Sequence, residues 1–250
     1  RNKVSFFVSS SDISDNSVYF SPEDSKHIYQ VLRMSAGEDI SVCDDSSHKH
    51  ICRLISVSKD SCVAQILSTE EYSNQPTAQV TVYAGLSKGD RFDYLIQKCV
   101  ECGVYAIVPF ISERCIARPT KDEFEKKVKR YQKIADEAVR QSKRSNRVMI
   151  GNILTYDQAL SAASSHGTPL FLYENENQKS LSTVLNRSDG IDYSVFTGPE
   201  GGFSESEVSK ALDCGMSVVS IGPRIMRCET APVAALCAIM YHTGNFDIGE

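Results

Sequence analysis

From Val80 onward the chain changes rhythm, and that change limits its fold more than any other feature. Short apolar runs at Val80–Ala84, Val104–Phe110, Pro169–Tyr173, Tyr193–Thr197 and Ser217–Ile221 alternate with helical patterns at Phe92–Cys102, Phe124–Ser142, Tyr156–Ser164, Glu205–Cys214 and Val233–Tyr241. Strands separated by helices form a mainly parallel sheet, because each helix is the crossover between strands that run the same way. Ser204-Glu-Ser-Glu207 is a capping box that fixes one of these helix starts. The expectation is an α/β domain over residues 76–250.

The first third reads differently. Ser21-Pro-Glu-Asp24 has a capping serine, a proline at the first helical position and acid in the first turn. The helix it starts carries His27, Ile28, Val31 and Leu32 and stops near Gly37. Three β-like runs follow, Ile40–Cys43, Ile51–Val57 and Cys62–Leu67, separated by polar turns. Strands that short and that dense suggest a small β-barrel over residues 1–70. Glu70 to Ala78 is polar with one proline and reads as the linker. There are no internal repeats and no low-complexity tract.

At 250 residues the chain can bury a sizeable core, and 41% hydrophobic content is ordinary for a globular protein. No run of eighteen apolar residues offers a membrane span, and the start, Arg1-Asn-Lys-Val-Ser-Phe-Phe, has no long apolar signal core. Nine irregularly spaced cysteines fit a reducing compartment, so the expected location is the cytoplasm. Cys99-Val-Glu-Cys102 lies inside a helical pattern, with no second pair and no histidine cluster, so no metal is expected. The net charge of −5 conceals segregation. Residues 83–147 hold 15 basic and 9 acidic side chains, whereas residues 148–250 hold 5 and 12. A basic middle on an acidic chain suggests one face for a polyanion, unless Lys126, Lys127, Lys129, Arg130 and Lys133 are only the wet side of a helix.

Two glycine-rich loops carry the chemistry. Phe196-Thr-Gly-Pro-Glu-Gly-Gly-Phe203 and Ile221-Gly-Pro-Arg-Ile-Met-Arg-Cys-Glu-Thr-Ala-Pro232 each follow a strand-like run and precede a helical one. That places them at the carboxyl ends of neighbouring strands, where open α/β sheets bind ligands. The spacing is neither GxGxxG nor GxxxxGK[ST], so neither a dinucleotide nor a phosphate-cradling loop is indicated. Arg224 and Arg227 either cap carbonyls and pair with Glu229, or clamp a phosphate or a base oxygen bidentately. Glu229 is either a helix-start acid or a proton acceptor. Arg91 follows Lys88 at a strand-to-helix turn, a suitable seat for an RNA phosphate.

The two loops resemble those of the RsmE-type family of 16S ribosomal RNA uridine-N3 methyltransferases, within the SPOUT superfamily. Ser87-Lys-Gly-Asp-Arg-Phe-Asp93, Ile96-Gln-Lys-Cys-Val-Glu-Cys-Gly-Val104, Ile111-Ser-Glu-Arg114 and the helix Arg130–Ser142 extend the likeness, as do His27 and Val31-Leu-Arg-Met34. One departure is Val100-Glu-Cys-Gly103, where the family usually has threonine-glutamate-leucine-glycine. The resemblance implies a PUA-like amino-terminal barrel and a SPOUT domain with a deep trefoil knot. It implies an S-adenosylmethionine site at Leu172, Tyr173 and Glu174, at Thr197, Gly198, Pro199, Gly201 and Gly202, and at Ile221, Gly222, Ile225, Met226, Thr230 and Ala231. The acceptor would be a uridine of 16S ribosomal RNA within the assembled small subunit. Arg227, Arg224 and Glu229 would serve catalysis, and His27, Arg33, Lys88 and Arg91 would touch RNA. A homodimer is implied, with Leu236, Ile239 and Met240 of the last helix in its partner surface. Two rival readings are a SPOUT enzyme acting on a ribose 2′-hydroxyl or another base, and an inactive RNA-binding protein.

Overall fold

The computed structural model describes residues 5–44, 46, 48–71 and 75–247. The chain divides into two compact units. The first holds residues 1–75 with Val139–Arg147, and the second holds Pro76–Ala138 with Val148–Glu250.

In the first unit the strands are β1 (Ser5–Phe7), β2 (Ile13–Ser14), β3 (Ser17–Tyr19), β4 (Asp39–Cys43), β5 (His48–Val57) and β6 (Cys62–Glu71). They form one curled sheet in the order β1-β4-β5-β6-β3-β2, in which only the β1–β4 pair is parallel. The three expected strand runs are β4, β5 and β6. Residues two apart on these strands share a face, so Ile40 and Val42, Cys52 and Leu54, Cys62 and Ala64 are all buried. Phe6 closes this core edge-on against Phe20 at 5.6 Å. The expected helix starts where Ser21 predicts, because Ser21 Oγ accepts the Asp24 N–H at 3.1 Å. It is short: α1 (Pro22–Lys26) widens into a π-helical turn over His27–Val31, and Arg33 then leaves with φ +53°. The expected linker begins later than its composition suggests, since Glu70 and Glu71 finish β6. Residues 72–74 of that linker, and the Arg1–Val4 start, lie outside the described residues.

The second unit follows the alternation. Its elements are β7 (Gln79–Gly85), α2 (Arg91–Glu101), β8 (Ala106–Ile111), α3 (Lys121–Ser142, whose last turn belongs to the first unit), β9 (Met149–Ile150), β10 (Leu154–Thr155), α4 (Tyr156–Ser164), β11 (Thr168–Leu172), α5 (Leu181–Leu185), β12 (Asp192–Thr197), α6 (Glu205–Asp213), β13 (Ser217–Val219) and α7 (Ala231–His242). All strand pairs are parallel, in the order β10-β8-β7-β12-β11-β13, with β9 also on β8. Every expected strand and helix is present. β9, β10 and α5 are additional, and at two to five residues they are too short to leave a period in sequence.

Register explains the core. Tyr83 pairs with Phe196, Phe196 with Phe171, and Phe171 with Val218 across four adjacent strands. These side chains share one face as a ladder, with Phe171 and Phe196 at 5.4 Å. Phe203 lies on the ladder at 4.3 Å from Phe171. The loop after β12 is therefore pinned at its far end by a buried ring.

Two expectations need correction. β12 and β13 are not neighbours, because β11 lies between them. Leu236, Ile239 and Met240 of α7 are fully buried within the chain itself, since α7 packs on α2, β7 and β12. They offer no surface to a partner.

Candidate functional site

β12, β11 and β13 end side by side because the strands are parallel and in register. The three loops leaving them surround a cavity of about 880 Å³. That lies within the roughly 300–1,000 Å³ of small-molecule sites. Leu172, Tyr173 and Glu174 leave β11, Thr197 to Pro199 and Gly202 leave β12, and Ile221 to Met226 lie beyond β13. Of the fourteen residues expected around a cofactor, only Gly201 and Thr230 do not line this cavity. Gly201 instead turns its carbonyl to Arg114, whose Nη1 donates at 3.2 Å. Thr230 lines a second cavity.

Glu176 to Ser180 and Ser220 line it without having been expected, Glu200 and Cys228 lie inside the two expected loops, and Arg91 takes an added role. A signal existed for one group, because the polar run Glu174-Asn-Glu-Asn-Gln-Lys179 directly follows a buried strand. Nothing local marked Glu200, whose role depends on a loop 109 residues away. Its Oε1 accepts the Lys88 N–H at 2.7 Å and the Arg91 Nη1–H at 2.7 Å. Burial works to raise the Glu200 carboxyl, but the Lys88 N–H and the Arg91 guanidinium outweigh it and hold the group below its ordinary value. Glu200 thus stays ionised and ties the β7–α2 loop to the cofactor-type loop. Gly85 makes the approach possible: a Cβ there would stand 2.6 Å from the Pro199 nitrogen.

Arg224, Arg227 and Glu229 also line the first cavity. Arg224 and Arg227 are exposed, and among the described residues neither guanidinium has an ion-pair partner. The pairing with Glu229 that their spacing allowed is not formed. Glu229 Oε2 instead accepts from the Cys228 thiol at 3.2 Å. Burial first, and then Glu229, push that thiol up to about 12, so it is neither a thiolate nor a nucleophile near neutral pH. Gly222 bends the loop with φ +121°, a conformation that strains any side-chain-bearing residue.

The second cavity, of about 650 Å³, is lined by Lys88, Gly89, Asp90, Arg91, Tyr94, Glu229 and Thr230. Arg91 and Glu229 line both cavities. His27 and Arg33 belong to the first unit and line neither. His27 packs edge-on against the core ring Phe6 at 5.7 Å, which gives it a structural task. On α3, Arg130 holds Asp93 through two bonds of 2.6 and 2.8 Å, so part of the basic stripe braces α2. Cys99 is fully buried, which drives its thiol strongly upward. Among the described residues, no group of three or more His, Cys, Asp or Glu is placed to hold a metal, and no helix is long and apolar enough to cross a membrane.

Comparison with known proteins assigns both units to one class. Residues 73–240 match the RNA methyltransferase domain, and residues 20–67 match the RNA methyltransferase PUA domain. The curled sheet is thus a PUA-like unit, and the parallel-sheet unit is a SPOUT domain. The chain is similar to the ribosomal RNA small subunit methyltransferase E of Bacillus subtilis, 31% identical over 226 residues and 88% of each chain. The enzyme of that name from Synechocystis is 31% identical over 215 residues, covering 85% of this chain and 69% of the relative. The crystal structure of a ribosomal RNA small subunit methyltransferase E from Neisseria gonorrhoeae, bound to S-adenosyl methionine, superposes with a TM-score of 0.85. It is 32% identical and covers 96% of this chain and 98% of its own. The chain belongs to the RsmE-type family of ribosomal RNA methyltransferases.

Proposed function

We propose that this protein transfers the methyl group of S-adenosylmethionine to N3 of a uridine in 16S ribosomal RNA, within the assembled small subunit in the cytoplasm. The observation that carries this reading is the pair of adjoining cavities. One is enclosed by the ends of three parallel strands, and the other is bordered by Lys88 and Arg91, with Arg91 and Glu229 common to both.

The first cavity suits S-adenosylmethionine in size and in its mix of groups. Leu172, Ile221 and Met226 offer apolar wall, Gly198 and Gly222 bring backbone close, and Glu174 and Glu176 offer acceptors for its amino groups. When bound, S-adenosylmethionine supplies a methyl group already activated on a sulfonium. The chain's own residues then have three tasks. They must align the acceptor with the methyl, exclude water and stabilise the uridine anion. Uridine N3 bears a proton and is a poor nucleophile until that proton leaves. Arg224 and Arg227 donate to the carbonyl oxygens that flank N3. Glu229, at the junction of the cavities, accepts the proton. N3 lies on the pairing edge, so the acceptor must be unpaired or flipped out.

The first unit serves RNA through residues 1–70, including Arg33 and, more weakly, His27. The second unit carries the trefoil knot implied by the resemblance, and two copies form a homodimer. The decisive experiment is mass mapping of modified nucleosides in 16S ribosomal RNA from particles treated with S-adenosylmethionine, with and without the protein. A new 3-methyluridine is expected. A 2′-O-methyl nucleoside, or no new methyl group, overturns the reading.

A further inference from the structure

We propose that the second cavity seats the acceptor nucleotide, with Tyr94 as the face on which its base stacks. This inference rests on the methyltransferase reading above and adds to it the place where RNA enters.

The cavity opens beside the first, and the two share a wall of Arg91 and Glu229. A base held in the second cavity therefore presents its edge to the same residues that border the first. Beside Gly89, Asp90 and Thr230, its lining holds an aromatic ring and a lysine, the groups a nucleotide needs for its base and its phosphate. Tyr94 is the aromatic residue of the cavity, and its side chain is half exposed. Lys98 sits 5.8 Å from the Tyr94 ring centre and is held there by Glu101, with bonds of 2.9 and 2.8 Å. One side of the ring is thus occupied by a cation that is itself neutralised. Lys88 borders the cavity, and no ion pair is recorded for its ammonium among the described residues. That is the expected group for the nucleotide's phosphate.

Arg91 has a different task. Its guanidinium is committed to Glu200 at 2.7 Å, so it forms the wall and fixes its position. Among the described residues, Glu200 Oε2 is buried with no hydrogen-bond partner. Tyr94 lies on the second turn of α2, which Arg130 braces through Asp93, so the stacking face stands on a rigid element. Aromatic stacking of a base tolerates sequence, while the adjoining wall reads the pairing edge.

The chain contains no tryptophan, which makes Tyr94→Trp a single reporter. We would titrate that variant with a ten-residue oligouridylate in the presence of S-adenosylhomocysteine, and follow its emission. Saturable quenching is expected, weakened by Lys88→Glu and by added salt. Binding of the same oligonucleotide seen by anisotropy, without quenching, overturns the proposal. An emission change that follows protein concentration and not RNA places a second copy in the cavity, and overturns it too. In parallel, single-turnover methylation of small-subunit particles would be measured for Tyr94→Ala and Tyr94→Phe. Tyr94→Ala should raise the RNA concentration needed for half-maximal rate by roughly tenfold or more, since stacking is worth about that per base. Tyr94→Phe should restore it, and S-adenosylmethionine affinity by calorimetry should not change. A defect in cofactor affinity, or equal rates for Tyr94→Ala and wild type, overturns the seat. If the wild-type protein methylates no particle, the function proposal fails, and the quenching experiment still decides whether RNA enters here.

Discussion

Arg227 stands in the cavity without an ion pair among the described residues, so its removal should affect chemistry more than fold. A guanidinium that donates to a developing anion stabilises the transition state more than the neutral base. Arg227→Ala should lower single-turnover methylation at saturating cofactor by about a hundredfold or more. Arg227→Lys keeps the charge but loses the fork and should also be slow. Melting temperature should change little in either variant, and normal turnover of Arg227→Ala would remove the residue from the mechanism. Gly85 is the opposite case, a residue that matters through backbone packing. A methyl group there would stand 2.6 Å from both the nitrogen and Cδ of Pro199. Proline cannot turn aside, so the loop after β12 must move. Gly85→Ala should cost about 1–3 kcal/mol of stability, as overpacking does, and should weaken S-adenosylmethionine binding in calorimetry. Unchanged affinity would show that the loop tolerates displacement.

At the scale of elements, the loop from Lys88 to α2 is the candidate RNA contact in the second unit. Counterion release makes log affinity fall with log salt by about 0.7 per phosphate on single strands. Lys88→Glu should flatten that slope by roughly one contact, measured by anisotropy over a salt series. Arg91→Gln should also open the tie to Glu200, so its effect should extend to cofactor binding. An unchanged slope for Lys88→Glu would place the phosphates elsewhere. In the first unit, Asp44 gathers the β4–β5 turn. Its Oδ1 accepts the N–H groups of Ser46 and His48 at 2.9 Å each, and its Oδ2 lies 3.2 Å from His48 Nδ1 and from His50 Nε2. Burial works to raise this carboxyl, but the backbone and histidine partners outweigh it and hold it below its ordinary 3.8. A depressed folded value stabilises the fold in full above the unfolded value, and the gain is lost as pH falls through the folded one. Asp44→Asn should therefore cost about 1–3 kcal/mol near pH 7. The gap in melting temperature between wild type and variant should close as pH falls below about 4. A gap independent of pH would contradict the role of the charge.

For the whole molecule, the proposed homodimer cannot use the apolar stripe of α7, which the chain's own sheet covers. Among the described residues, exposed apolar groups at this end of the chain include Tyr241 and Phe246, at 78% and 52%, and Ile225 in the cavity loop, at 86%. These are the residues a second copy would cover. Light scattering at micromolar concentration should give twice the 27.7 kDa of one chain, and Tyr241→Glu should lower that mass. A mass of one chain for the wild type would end the dimer proposal.

Every long strand and helix of the parallel-sheet unit, and the two glycine-rich loops among the three around the main cavity, were legible in the sequence by itself. They were legible because apolar period and capping chemistry are local: Ser21 and Ser204 cap the helices that their motifs announce. Only the tertiary structure decided strand order. The choice of neighbours is made by side chains far apart in the chain, so β11 came to lie between β12 and β13. That insertion brought Glu176 to Ser180 to the cavity. Tertiary packing likewise buried Leu236, Ile239 and Met240, since an apolar stripe does not say whether its cover is the same chain or another. It also joined Glu200 to Lys88 and Arg91. A contact across more than a hundred residues leaves no period to read, because it exists only once two parallel strands have set their loops side by side.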